Sequence, residues 1–185
     1  AKVRQALMGG LAASRILEHV YSSAYFALPN LYPLIMFAFI SMSLRYGNTA
    51  ASAVGYSAYG VILCGMFRQI ERGNRFGKLS LDLMRQLMAN HIKAKIVQVT
   101  QGFVTVWKHH PDTVIESFLD AHQAGMECGD LEFASYTCQM IGFFHLWSGV
   151  PLESVDQEMR NYTRVIERLQ QITPLYQIRI WHQLT

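Results

Sequence analysis

Several groups of residues are of types that could do chemistry. Gly73-Asn74-Arg75-Phe76-Gly77-Lys78-Leu79 holds two glycines and a lysine, the ingredients of a phosphate-cradling loop. Such a loop needs four residues between its glycines and a Ser or Thr straight after the lysine, so that backbone amides wrap the phosphate and the hydroxyl meets Mg²⁺. Here three residues separate the glycines, Leu79 follows Lys78, and no strand precedes. The stretch reads as a helix turn, and no nucleotide or other cofactor is expected. His109-His110 with Asp112, and His91 or His122 as further donors, comes nearest to a metal set. Adjacent helical histidines point about 100° apart, whereas zinc sites favour pairs one turn apart or a cysteine partner. A polar helix end is the expected role, with no metal ligand.

Other candidates resolve in the same direction. Cys64, Cys128 and Cys138 have no histidine at helical spacing that would depress their pKa, although a partner distant in sequence stays open. His145, among Phe143, Phe144, Leu146 and Trp147, reads as a hydrogen-bonded core histidine. Glu116 and Asp120 lie one turn apart, opposite Val114, Phe118 and Ala121, and are expected in solvent. Nine Met, ten Phe and nine Tyr could line a ligand groove, but at helical spacing they read as core. No catalytic, cofactor-binding or metal residue is therefore expected in this segment.

The elements that position these residues are helical throughout. Period-2 alternation is absent, and Gly and Pro punctuate at intervals of one helix length. Nine helices are expected, over 3–20, 31–46, 51–71, 74–89, 91–109, 112–127, 130–148, 152–171 and from 174 onward. Gly47, Gly73 and Gly129 read as helix stops, Asp130 as a cap, and Pro111 and Pro151 as helix starts. The eighth helix spaces Leu152, Val155, Met159, Tyr162, Ile166 and Leu169 by three and four residues, with charges on its other face.

Helix pairs recur at about forty residues. Gly102, Phe103 and Trp107 return as Gly142, Phe143 and Trp147, with Gly65 and Met66 in the corresponding earlier places. In the second helices Phe76, Ser80, Leu83 and Leu87 correspond to Val114, Phe118, Ala121 and Gly125, and then to Val155, Met159, Tyr162 and Ile166. A helical glycine costs about 1 kcal/mol relative to alanine, so Gly102 and Gly142 are expected where a neighbouring helix crosses closely. The fold class is therefore all-α: an α-solenoid of stacked antiparallel helix pairs, one module over 1–185 with a broken fifth pair at its end.

Composition bounds the rest. Half the residues are apolar and 16% are charged, which excludes disorder. The net charge of +3 is spread along the chain, and the densest basic cluster, Arg68, Arg72, Arg75 and Lys78, includes Glu71. That is too weak a stripe for nucleic acid. Three distant cysteines do not make a secreted disulfide framework, so a cytoplasmic location is expected. The first charge-free stretch is broken by Pro29, Asn30 and Pro33, and the others carry polar residues, so no membrane insertion is expected. Lys2 and Arg4 at the start argue against a signal peptide. The chain opens on Ala1, and 174–185 breaks off within an apolar-periodic segment, so a longer parent is expected.

The small mid-helix residues and Gly73-Asn74-Arg75-Phe76 resemble the tetratricopeptide repeat in degenerate form. A wider likeness rests on five runs: Leu44-Arg45-Tyr46-Gly47-Asn48, Gly55-Tyr56-Ser57-Ala58-Tyr59-Gly60, Gly73-Asn74-Arg75-Phe76-Gly77, Lys93-Ala94-Lys95, and Gly129-Asp130-Leu131-Glu132-Phe133-Ala134. Together they resemble the helical middle region of large multidomain bacterial signalling kinases, familiar from cyanobacteria. In those, a Ser/Thr-kinase-like domain and an NTPase come first, and a GAF domain and a histidine kinase follow. The resemblance implies a non-catalytic connector in phosphorelay (two-component) signalling, whose partners are other domains of its parent or partner proteins. It carries no catalytic residue into this segment. The alternatives are a ligand-sensing solenoid beside an NTPase module and a peptide-binding adaptor.

Overall fold

A computed structural model describes the backbone of residues 2–185 and the side chains of residues 9, 10 and 12–185. The side chains of Lys2 and Arg4 lie outside that range. The described residues form nine α-helices and no strand. The chain divides into two compact units, Ala1–Ala89 and Asn90–Thr185.

The first unit holds α1 (Lys2–Ala27), α2 (Tyr32–Tyr46), α3 (Ala50–Gly65) and α4 (Ile70–Gln86). α1 runs well past the expected end at 20, because nothing breaks it before Pro29, which disfavours a helical residue ahead of it. Pro33 sits in the first turn of α2, where its missing N–H costs nothing. Gly47 ends α2 at a φ of 92°, its N–H donating to the Ser43 carbonyl. Thr49 and Ser52 then cap α3 reciprocally, each side chain accepting from the other's backbone N–H. Twelve of the 16 residues of α3 are buried, most of them small. Small residues bring α4 close: Ser80 Oγ donates to the Ala53 carbonyl at 2.7 Å.

Gly73 is not a helix stop. It lies buried inside α4, where an added Cβ would stand 2.9 Å from the Gly60 carbonyl oxygen and press on Cys64 Sγ. The chain instead turns over 66–69, with Arg68 in the left-handed region at a φ of 53°. Leu87, in repeat register with the buried Gly125 and Ile166, is instead exposed past the end of α4.

The second unit holds α5 (Lys93–Phe103), α6 (Ile115–Cys128), α7 (Leu131–Trp147), α8 (Leu152–Arg168) and α9 (Ile172–His182). Consecutive helices pack on one another, and α5 and α9 also pack on α7. The expected 91–109 helix is shorter. The β-branched run Val104-Thr105-Val106 resists α-geometry, and a 3₁₀ turn follows over Thr105–Trp107. Trp107 Nε1 donates to the Phe103 carbonyl at 3.1 Å and satisfies an acceptor left free at the end of α5. Gly129, left-handed at a φ of 79°, ends α6, and Asp130 accepts from the Phe133 N–H to start α7. The core beneath α8 is Cys138, Val155, Met159, Ile166 and Ile178, all fully buried.

The recurring glycines do not make one repeated contact. A Cβ on Gly142 would meet Met159 Cγ of α8 at 3.0 Å, and one on Gly102 would meet Met140 Cε of α7 at 3.1 Å. Gly65 ends α3 in open space, with nothing within 4 Å. No helix among the described residues is long and apolar enough to cross a membrane.

Candidate functional site

A cluster of titratable groups in the second unit lies along α7, between α6 and α8. His145 stands 2.5 Å from Glu158, its Nδ1 donating to the carboxylate across the α7–α8 hairpin. Tyr162 lies one turn on from Glu158 on the same helix. Burial pushes the Tyr162 hydroxyl upward, and the Glu158 charge adds to the shift. Two turns before His145, Cys138 Sγ lies 3.2 Å from Nδ1 of His122 on α6.

The Cys138–His122 pair has the composition of a nucleophile and its base, but its chemistry does not fit. His122 Nδ1 is also 2.9 Å from the Ala134 carbonyl oxygen, which can only accept, so that nitrogen carries its proton and cannot take the thiol's. Burial pushes the Cys138 thiol up to about 12, and the nearby Glu158 charge adds to the shift. A thiol in that state is protonated at neutral pH, and the thiolate is the reactive form. The cluster ties three helices together: Glu158 accepts from His145 across one hairpin, and His122 bridges the other.

A second polar clasp holds α9 to α8. Asp156 accepts from Arg160 at 2.8 Å and from His182 Nε2 at 2.7 Å, and Glu167 pairs with Arg179 at 2.5 Å. Hydrogen bonds from Arg160 and then His182 hold the Asp156 carboxyl below the usual carboxylate value.

The remaining candidates stay apart. His110 accepts weakly from the Asp112 N–H and stands 3.3 Å from its carboxylate on an exposed turn; His109 and His91 are also exposed. No group of three potential metal ligands occurs among the described residues. Glu116 and Asp120 face outward on α6, and Asp120 pairs with Lys93 at 2.6 Å. Lys78 is exposed on α4, with Gly73 and Gly77 turned into the helix interface. Cys64 is buried and Cys128 exposed.

The sequence places His145 as a bonded histidine but does not reveal its partner, nor the His122–Cys138 contact. A signal was present. In an antiparallel hairpin, residues equally far from the turn face each other; His145 and Glu158 are nearly equidistant from Pro151, and His122 and Cys138 from Asp130.

These helices define an all-α module of packed helix pairs. Over 166 residues, 89% of its length, the chain is 23% identical to a hybrid signal transduction histidine kinase (kinase G) of Dictyostelium discoideum. It spans 5% of that protein's length. No family model matches the chain, and no solved structure matches it. The likeness gives a distant link to signal transduction.

Proposed function

We propose that the chain is a non-catalytic connector of a multidomain, cytoplasmic signal-transduction kinase. In this reading it is an α-solenoid, tetratricopeptide-like in its helix pairs, that passes regulation between an NTPase-type module and sensor or histidine-kinase modules. The observation that carries the reading is the match to a histidine kinase over nearly the whole chain. The state of the polar cluster supports it. The Cys138 thiol is held protonated, the His122 proton is committed to a carbonyl, and the Glu158 carboxylate accepts from His145. Groups so occupied serve packing.

The test is a phosphotransfer assay with the purified chain, beside the kinase and NTPase modules of its parent. The isolated chain should take up no phosphate from MgATP. Adding it to the kinase module, or disrupting its fold within the parent, should change the rate of autophosphorylation. Phosphate incorporated by the isolated chain, or a kinase rate indifferent to it in both settings, overturns the reading.

A further inference from the structure

Helix α2 is apolar on both faces. Tyr32, Ile35, Met36, Phe39 and Ser43 point inward and are buried. The outward face should then be polar, yet Leu31, Leu34, Phe37, Ser41 and Leu44 follow one another there in steps of three or four residues, all exposed, with Phe37 at the edge of the face where its ring also packs edge-on against Tyr59 of α3. Leu34 is 61% and Leu44 78% exposed. At the α1–α2 corner Phe26 and Leu28 are exposed as well, and the Tyr25 ring packs edge-on against both Phe26 and Tyr32. This is a seam of coiled-coil spacing with no partner helix over it among the described residues.

We infer that this face binds a second copy of the chain, α2 lying antiparallel to α2 across a two-fold axis. Area supports that occupant. Six large side chains (Phe26, Leu28, Leu31, Leu34, Phe37 and Leu44) are each 40–78% exposed. At roughly 100 Å² apiece they offer about 600 Å² per copy. Two copies together reach about 1,200 Å², the lower bound of a stable specific interface. Charge supports it too. No charged residue lies between Leu31 and Leu44, so two such faces meet without stripping water from an ion. The antiparallel arrangement carries the two Arg45 side chains to opposite ends of the pair. Ser41 and Ala38, both small, let the backbones approach. A helix lying on a lipid surface is instead flanked by several Lys or Arg, and α2 has only Arg45. The self-complementary face fits a closed two-fold pair rather than an open chain, and it stands independently of any role in a kinase.

Sedimentation equilibrium of the purified chain across micromolar concentrations tests this, at low and at high salt. The expected result is a reversible monomer–dimer equilibrium insensitive to salt. A Leu34→Glu/Leu44→Glu variant, altered only at exposed positions, should be monomeric with an unchanged far-ultraviolet circular dichroism spectrum. In a Cys128→Ser background, Ser41→Cys should form a disulfide-linked dimer under mild oxidation, and Ser154→Cys on α8 should not. A chain that stays monomeric, that aggregates without limit, or whose dimer survives the double variant overturns the inference. So does binding to neutral lipid vesicles without self-association.

Discussion

A Cβ placed on Gly125 of α6 would stand 2.9 Å from the Cβ of Ala134 on α7, closer than two such carbons approach. It would meet Ala94 of α5 at the same distance and the Asp130 carbonyl oxygen at 3.1 Å, so three unyielding neighbours enclose one position. Three helices meet at this point because one residue has no side chain.

Gly125→Ala should therefore lower stability by about 1–3 kcal/mol, the usual cost of overpacking. Gly73→Ala should do likewise, since the Gly60 carbonyl cannot rotate away. Gly142→Ala should cost less than Gly125→Ala, because Met159 is flexible and can shift. Gly65→Ala should raise stability by up to about 1 kcal/mol, having open space and a better helix former. Urea denaturation of the four variants gives the order directly. A stabilised Gly125→Ala would show that the α6–α7 crossing is not where the structure places it.

The three cysteines should separate by accessibility. Cys128 is exposed, whereas Cys64 and Cys138 are buried and burial pushes both thiols up, Cys138 to about 12. With a thiol-exchange reagent at mildly alkaline pH, one equivalent should react in the native protein and three after denaturation. Fast native modification of Cys138 would contradict its place in the α7–α8 core.

Acid should loosen the α8–α9 clasp by protonating Asp156. Its folded pKa is depressed by hydrogen bonds from Arg160 and His182. A group depressed in this way stabilises the fold above its unfolded value of about 3.9. That contribution disappears as pH falls through the lower folded value. Asp156→Asn should accordingly melt earlier than the parent chain at pH 6, and the gap should close as pH is taken below 4. An unchanged gap across that range would mean the clasp contributes nothing through ionisation.

The helical character was legible because the breaks are chemically loud: Gly47 and Gly129 adopt left-handed backbone, and Pro111 and Pro151 sit at helix starts. Gly73 misled because glycine serves two purposes, ending helices and admitting neighbours, and its type does not say which. Its spacing does. Gly73, Gly77 and Ser80 fall on one face of α4, a row of small residues that marks a close crossing rather than a stop. The 40-residue recurrence of Gly102 and Gly142 did mark close approaches, each glycine facing a methionine of another helix, but on different kinds of neighbour, the next helix for Gly142 and the next but one for Gly102. Side-chain pairs such as His145–Glu158 need the hairpin register before they can be seen at all.

The composition of α3 has a bearing on how the first unit can be dissected. Its sequence, AASAVGYSAYGVILCG, mixes alanine with glycine, serine and β-branched residues, and no ion pair links its successive turns. At 16 residues, with that composition, such a peptide has too little intrinsic preference to stay helical in water. α3 is helical by context, held by the helices packed on it and by the Thr49–Ser52 cap. A fragment that separates α3 from α2 or α4 should therefore not yield a smaller folded piece; any folded fragment of this unit has to keep those three helices together, with Thr49 included.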